Sequence, residues 1–225
     1  LGISRQDQDT FAAQSHQRAA KAQKDGLLNE EICTVEIPLR NGDNLTVKDD
    51  EGIRQDADFE SMSRLSPAFT KNGTITAGNA SQISDGAAAV IVTTMDKAEE
   101  IGIEPVAEIV AHGQVAGPDT SLLHQPSSAI NVALDLAGMK VSDLDLFEIN
   151  EAFAAVALAS MSHLGLSDEI VNVNGGAIAL GHPIGMSGTR VVLTLIHELQ
   201  RRGGGLGAAS LCGGGGQGEA LILKV

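Results

Sequence analysis

The sequence predicts a layered α/β fold, mixed β-sheets packed with helices, and three observations carry that expectation. Across residues 106–225, aliphatic runs alternate with amphipathic segments of helical period, the pattern of strands and helices stacked in layers. Hydrophobic residues make up 43% of the 225 but aromatics only 2%, so the core must be aliphatic, with Ala and Gly letting elements approach closely. Glycine also clusters in two loops, residues 174–185 and 212–218, at junctions between expected elements. Such density is entropically costly and marks backbone that adopts positive φ or approaches another group closely.

Residues 3–25 predict a helix. Ser4 stands as N-cap with Asp7 three residues on, small or apolar residues recur at Phe11, Ala12, Ala19 and Ala22, and Gly26 stops it, with Leu27 as the hydrophobic contact. His16 falls in a polar run and is expected to be solvated. Residues 34–39 and 44–47 alternate as strands around Asn41-Gly42-Asp43, a hairpin, and Cys33 before them is expected to be a packed thiol. Residues 48–72 are polar and irregular, yet Phe59, Met62, Leu65 and Phe69 are anchors that a linker does not need. An ordered surface loop is therefore expected, with Arg54 and Lys71 as its anion-facing groups.

Residues 84–93 begin small and end β-branched, which predicts a buried strand. A short charged helix over 96–101 ends near Gly102, and a boundary follows near Pro105. Beyond it the sequence predicts strands over 106–110, 144–149, 171–173, 206–211 and 219–225. Helices are expected over 127–136, 151–164 and 186–202, the last ending in basic residues as a helix C-terminus favours.

Fifteen Lys and Arg against 29 Asp and Glu leave a net charge of −14. That balance speaks against nucleic acid and anionic membranes as partners, because both need a basic footprint. No apolar run is long enough to span a bilayer, and no secretory pattern opens the sequence. Two cysteines make no disulfide framework, so a cytoplasmic enzyme is expected. The first residue is Leu1 rather than Met, which suggests a processed chain or part of a longer polypeptide.

The glycine loops invite two readings that fail on their own spacing. Gly176 to Gly181 fits G-x-x-x-x-G, but His182 and Pro183 stand where a phosphate loop needs Lys and Ser or Thr. Gly213, Gly215 and Gly218 fit G-x-G-x-x-G, but a strand-like tail follows where a dinucleotide site needs a helix. A metal site on His182 and Cys212 lacks ligands at recognisable spacing, so no metal is expected. His112, His124, His163 and His197 read as surface or packing residues. Thiol and imidazole chemistry remains. The glycine N–H groups after Cys212 can stabilise developing negative charge and lower the thiol's pKa, while His182 sits among glycines just before a helix.

Four blocks resemble the thiolase family, specifically acetyl-CoA acetyltransferases: G-N-A-S with S-D-G-A-A-A from Gly78, N-E-A-F-A from Asn150, G-G-A-I-A-L-G-H-P-I-G from Gly175, and C-G-G-G-G-Q-G from Cys212. The likeness extends over essentially the whole chain. It implies condensation of two acetyl-CoA, or thiolytic cleavage of a 3-ketoacyl-CoA, through an acyl-cysteine intermediate. Carried over by position, His182 activates the nucleophilic cysteine and Cys212 moves the α-proton. Asn150 would hold the water of one oxyanion hole, and the Gly214 N–H would serve the other. Arg54, Ser61, Ala77, Ser81 and Phe153 fall where the family contacts coenzyme A, a substrate rather than a permanently bound cofactor.

The resemblance further implies that residues 1–83 are part of a CoA-binding loop region, 84–104 the tail of the N-terminal domain and 105–225 the C-terminal domain. The nucleophilic cysteine would then lie in an N-terminal half absent from this chain, so the chain alone is expected to be inactive. Gly213 and Gln217 depart from the Ile and Met common in biosynthetic members. Short acyl chains and a dimer or tetramer are expected. A non-catalytic CoA-binding or assembly subunit is the alternative. A decarboxylating condensing enzyme ranks last, because those place a second histidine where Cys212 stands.

Overall fold

The structure is a computed structural model and describes residues 2–225. It begins with helix α1 (Arg5–Lys24), whose Ser4 and Asp7 form a reciprocal capping box. Gly26, at φ 80°, ends it. Buried residues on α1 include Gln8, Asp9, Phe11, Ala12, Ser15, His16 and Ala19, so it is enclosed on several sides rather than lying on the surface. His16 is 2% exposed, which corrects its expected solvation: helical periodicity placed it beside Ala12 and Ala19, and the following loop folds over it.

Strands β1 (Val35–Pro38) and β2 (Asn44–Val47) form the expected antiparallel hairpin. Cys33 is exposed, against expectation, because this hairpin stands off the body and offers nothing to pack on. The polar stretch that follows is ordered. Helix α2 (Phe59–Ser63) is capped by Asp58, and the Arg5 guanidinium donates to the Met62 and Leu65 carbonyls, each at 2.9 Å. Met62 is buried, whereas Phe59 and Phe69 are exposed, so only part of the expected anchoring holds. After helix α3 (Met95–Ile101) comes the main sheet. It is built from β3 (Glu108–Ala116), β4 (Leu146–Ile149), β5 (Leu206–Gly213) and β6 (Gln217–Lys224) in the order β3-β6-β5-β4. β4 and β5 run parallel and the other pairs antiparallel, giving the mixed sheet that the alternating pattern predicts.

Side chains of a strand alternate between faces, and each face here has its own helices. Phe147, Ile149, Ala208, Ala220 and Ile222 join a core with helices α4 (Gln125–Ala137) and α5 (Ala154–Leu164). Leu146, Ala209 and Leu223, one register position away, pack on Val191, Leu195 and Leu199 of helix α7 (Ser187–Arg201). A further short helix, α6 (Ala177–Leu180), lies inside the first glycine loop, where none was predicted.

Two expected strands are not strands. Residues 84–93 are irregular and unpaired, and Ile91 and Val92 are 96% and 71% exposed, because no ladder partner for them exists among the described residues. With Ile103, Val192 and Ile196 they line an apolar groove of about 1070 Å³. Residues 171–173 keep only a single bridge, Val171 to Phe147.

Close approach of α4 to β3 depends on Gly113, where an added Cβ would lie 2.6 Å from the Ala133 nitrogen and 3.0 Å from its Cβ. Gly113→Ala is expected to lower the unfolding free energy by about 1–3 kcal/mol, the cost of overpacking a tight contact. Gly185→Ala, with open space around its Cβ, should be near neutral; denaturant titration compares the two.

Candidate active site

The parallel strands β4 and β5 end side by side, and the candidate residues collect there. Asn150 follows β4 and its N–H donates to the Ser210 carbonyl at 2.9 Å. Cys212 lies two residues further along β5, paired with Gly218 of β6. The crevice beyond the carboxyl ends of strands is where ligands bind in open α/β sheets. Helix α5 begins at Ala154 rather than Glu151 because Asn150, Glu151 and Ala152 are committed to this crevice.

The Glu151 carboxylate, fully buried, accepts from the Ser15 hydroxyl at 2.7 Å, Asn172 Nδ2 at 2.9 Å and the Ile178 N–H at 3.1 Å. Burial pushes its pKa up while these bonds pull it down. Asn172, at φ 46°, replaces a missing strand: Oδ1 accepts from the Ile149 N–H and Nδ2 donates to the Ile149 carbonyl, both at 2.8 Å. Gly175, at φ 83°, then turns against α1, where a Cβ would lie 2.6 Å from the Ser15 oxygen. Glycine is required at that turn for both reasons.

The loop delivers His182 beside Asn150. Its backbone N–H donates to the Gln82 carbonyl at 3.1 Å, and Gln82 Nε2 donates to the carbonyls of Gly52, Ile178 and Ala179. The Ser187 hydroxyl donates to the Pro183 carbonyl at 3.0 Å, so its oxygen is left to accept from Nδ1–H of His182 at 2.6 Å. Nε2 then carries the lone pair, and Asn150 Nδ2 donates to it at 3.2 Å. Burial first, and the nearby Arg190 guanidinium second, lower the His182 pKa. The imidazole is therefore neutral near pH 7 and can accept a proton.

Cys212 is 7% exposed and packs with Ala152, Val156, Leu122 and Phe153. Burial raises its thiol pKa, with a smaller opposing backbone hydrogen bond, which corrects the expectation that the glycine N–H groups lower it. Gly213 ends β5, and Gly214, Gly215 and Gly216 form the turn after it with Gly214 exposed at its start, so burial of the sulfur decides the direction. Among the described residues no group of three or more His, Cys, Asp or Glu side chains could hold a metal ion.

Ser81 donates its N–H to the Ala152 carbonyl at 3.1 Å, and Phe153 bridges Ala80 and stacks edge-on against Phe69 at 6.2 Å. These residues join the site. Ala77 is exposed near them in sequence, within the turn that Asn79 closes by accepting the Thr76 N–H at 2.8 Å. Ser61 spends its hydroxyl on the Asp58 cap. Arg54 is exposed, and its backbone N–H donates to His16 Nδ1 at 3.1 Å. Lys71 is exposed in a turn. Glu148, Glu151, Gln82, Asn172, Ser187 and Arg190 escaped the sequence reading. Only the acids in 148–151, carboxyls inside an otherwise apolar strand end, gave a signal that could have found any of them.

The statistical model of the thiolase C-terminal domain matches residues 103–225, and that of the thiolase N-terminal domain matches residues 1–96. The chain belongs to the thiolase family. A probable acetyl-CoA acetyltransferase of Mycobacterium tuberculosis is 59% identical to this thiolase over 222 residues, 99% of this chain and 56% of that protein. An acetyl-CoA acetyltransferase of Chromobacterium violaceum is 52% identical over 223 residues, 99% of this chain and 57% of that one. The crystal structure of the Bacillus anthracis acetyl-CoA acetyltransferase superposes with a TM-score of 0.95 at 42% identity, and human mitochondrial 3-ketoacyl-CoA thiolase with 0.93 at 44%. Each match covers 99% of this thiolase chain and 56% of the solved one. The chain thus spans little more than half the length of the relatives it matches.

The His16 imidazole, buried under the Arg54 backbone, has its pKa pushed down from 6.5 to about 4, chiefly by burial. Between those two values the unfolded chain binds a proton that the folded chain refuses, so stability is expected to fall as pH drops from about 6.5 to about 4. His16→Asn accepts the same N–H without titrating and should flatten that part of the curve, as urea unfolding across the window would show.

Proposed function

We propose that this chain is the C-terminal portion of a thiolase acyltransferase, which joins two acetyl-CoA into acetoacetyl-CoA or cleaves a 3-ketoacyl-CoA through an acyl-cysteine intermediate. The observation that carries the reading is the way residues 150–153 touch both reactive side chains: Asn150 donates to His182, while Ala152 and Phe153 pack with Cys212. The names of the bacterial relatives support acetyl transfer, and the human neighbour's name supports the cleavage direction.

In cleavage, Nε2 of His182 takes the proton of a nucleophilic cysteine thiol. The thiolate bonds to the keto carbon, and the carbon–carbon bond breaks with its electrons passing to the acetyl-CoA enolate. Cys212, a thiol at neutral pH because burial raises its pKa, gives its proton to that enolate carbon. An incoming coenzyme A thiol then attacks the acyl thioester, returning a proton to Cys212 while the freed cysteine thiolate recovers its own from His182. Condensation is the reverse. Asn150, with a water, and the exposed Gly214 N–H are proposed as donors to the two thioester oxygens. Arg54, Ser61, Ala77, Ser81 and Phe153 are proposed to line the coenzyme A path, with no permanently bound cofactor.

The nucleophilic cysteine is proposed to lie in a further N-terminal half of the complete protein. Support comes from the 56% span of the M. tuberculosis relative and from the unpaired apolar run around Ile91, which an additional sheet would cover. Residues 1–83, 84–104 and 105–225 would then be loop region, domain tail and C-terminal domain of a cytoplasmic homo-oligomer.

Assayed alone for acetoacetyl-CoA thiolysis, the 225-residue chain is expected to show no turnover; robust activity would refute the missing nucleophile. In the complete polypeptide, Cys212→Ser should still form acyl-enzyme with acetyl-CoA, seen by intact mass, while condensation drops by about 10²–10⁴-fold. Equal loss of both steps would contradict the role given to Cys212.

A further inference from the structure

A carboxamide presents nitrogen and oxygen at nearly the same shape, so something must decide which end of Asn150 faces His182. The Oδ1 of Asn150 accepts from Arg190 Nη2 at 3.4 Å, and Arg190 Nη1 reaches Glu148 Oε2, also at 3.4 Å. A guanidinium can only donate. Were the carboxamide reversed, its NH₂ would meet that donor. We infer that Arg190 is a positioning residue: anchored by Glu148, it holds Nδ2 of Asn150 toward His182 and so fixes the proton state in which the imidazole meets its substrate. The inference rests on the proposed role of His182 as base.

The elements place these groups by their own periodicities. Glu148 and Asn150 are two residues apart at the end of β4, on the face Leu146 turns toward α7. Ser187 and Arg190 are three residues apart on α7, hence neighbours on its surface. One helical turn therefore addresses both ring nitrogens: Ser187 accepts a hydrogen bond from Nδ1–H directly, and Arg190 secures the lone pair on Nε2 through Asn150. Both partners are well covered, with side chains 13% and 4% exposed. Burial outweighs Arg190 to push the Glu148 pKa up to about 8, so near pH 7 the carboxyl oxygen accepts from the guanidinium largely in its neutral form. Asp50 from the loop, and Glu31, Glu151 and Glu198 from other elements, contribute to the charge around Arg190 and Glu148. Arg190 is the charged group that acts on His182 itself. Without Arg190, the carboxamide can turn Oδ1 to an Nε2–H, favouring the wrong tautomer and the imidazolium together.

The test uses the complete native polypeptide. Heteronuclear NMR of the histidine rings at neutral pH should show His182 protonated at Nδ1 and bare at Nε2; an Nε2–H tautomer overturns the inference. Arg190→Met should raise the His182 titration midpoint and the acid limb of the kcat profile together, by about one pH unit. Its kcat should fall about tenfold or more with KM for the acyl-CoA held within about twofold. Arg190→Lys, which keeps a cation and a donor, should recover part of both shifts. A fall in kcat with the His182 midpoint and tautomer unmoved makes Arg190 merely structural and overturns the inference. Should Arg190→Met fail to fold, the wild-type tautomer and the Arg190→Lys midpoint decide. A correct tautomer and midpoint shift in a protein without thiolase turnover would uphold the positioning and refute the proposed function.

Discussion

A single buried carboxylate sets the geometry around which the molecule is assembled. Glu151 takes hydrogen bonds from α1 through Ser15, from the strand-mimicking Asn172 and from the Ile178 N–H of α6. It thereby joins the first helix, the end of β4 and the first glycine loop at one point. Burying a carboxyl without such partners costs several kcal/mol in rough terms, so each partner is obliged to stay. Gly176 belongs to the same arrangement: its N–H donates to Ser15, and a side chain there would collide with the carboxylate. Correct placement of His182, six residues later, follows from that fixed start.

The chemistry divides by environment. His182 and Cys212 both sit beside residues 150–153, yet burial acts oppositely on them because it disfavours whichever form is charged. The imidazole loses its proton more readily and the thiol holds its proton more tightly. One fold thus keeps a neutral imidazole and a protonated thiol at the same pH, the forms that the proposed base and acid roles need. Pairs of groups pushed apart in this way are how a site assigns donor and acceptor roles.

Much of this was legible in the sequence, and the limits were physical. The capped α1, the β1–β2 hairpin, α3, α4 and the strands β4 to β6 follow from local signals: Ser4 with Asp7, Asn41 with Gly42, Gly102 and Gly138 as stops. His182 and Cys212 stood out because glycine-rich backbone surrounds them, and Asn150 only through the thiolase-like block that it opens. Properties that depend on what packs across from a residue were not legible. His16 looked solvated until the Arg54 loop covered it, and the run ending in Val92 looked like a strand but finds no ladder partner among the described residues. Arg190 is one more basic residue of a polar helix face until the sheet places Asn150 against it.

The exposed groove beside Ile91 and Ile196 has a consequence for how the molecule behaves in solution. Contiguous apolar surface of this kind favours contact with other apolar surfaces, while the net charge of −14 keeps like molecules apart. Repulsion reaches about 10 Å at moderate ionic strength and shortens as salt is added, whereas the drive to leave water is not weakened by salt. For the chain by itself, self-association through this face is expected to be weak in dilute buffer and to grow as salt is added, whereas the further sheet proposed above would cover the face in the complete protein.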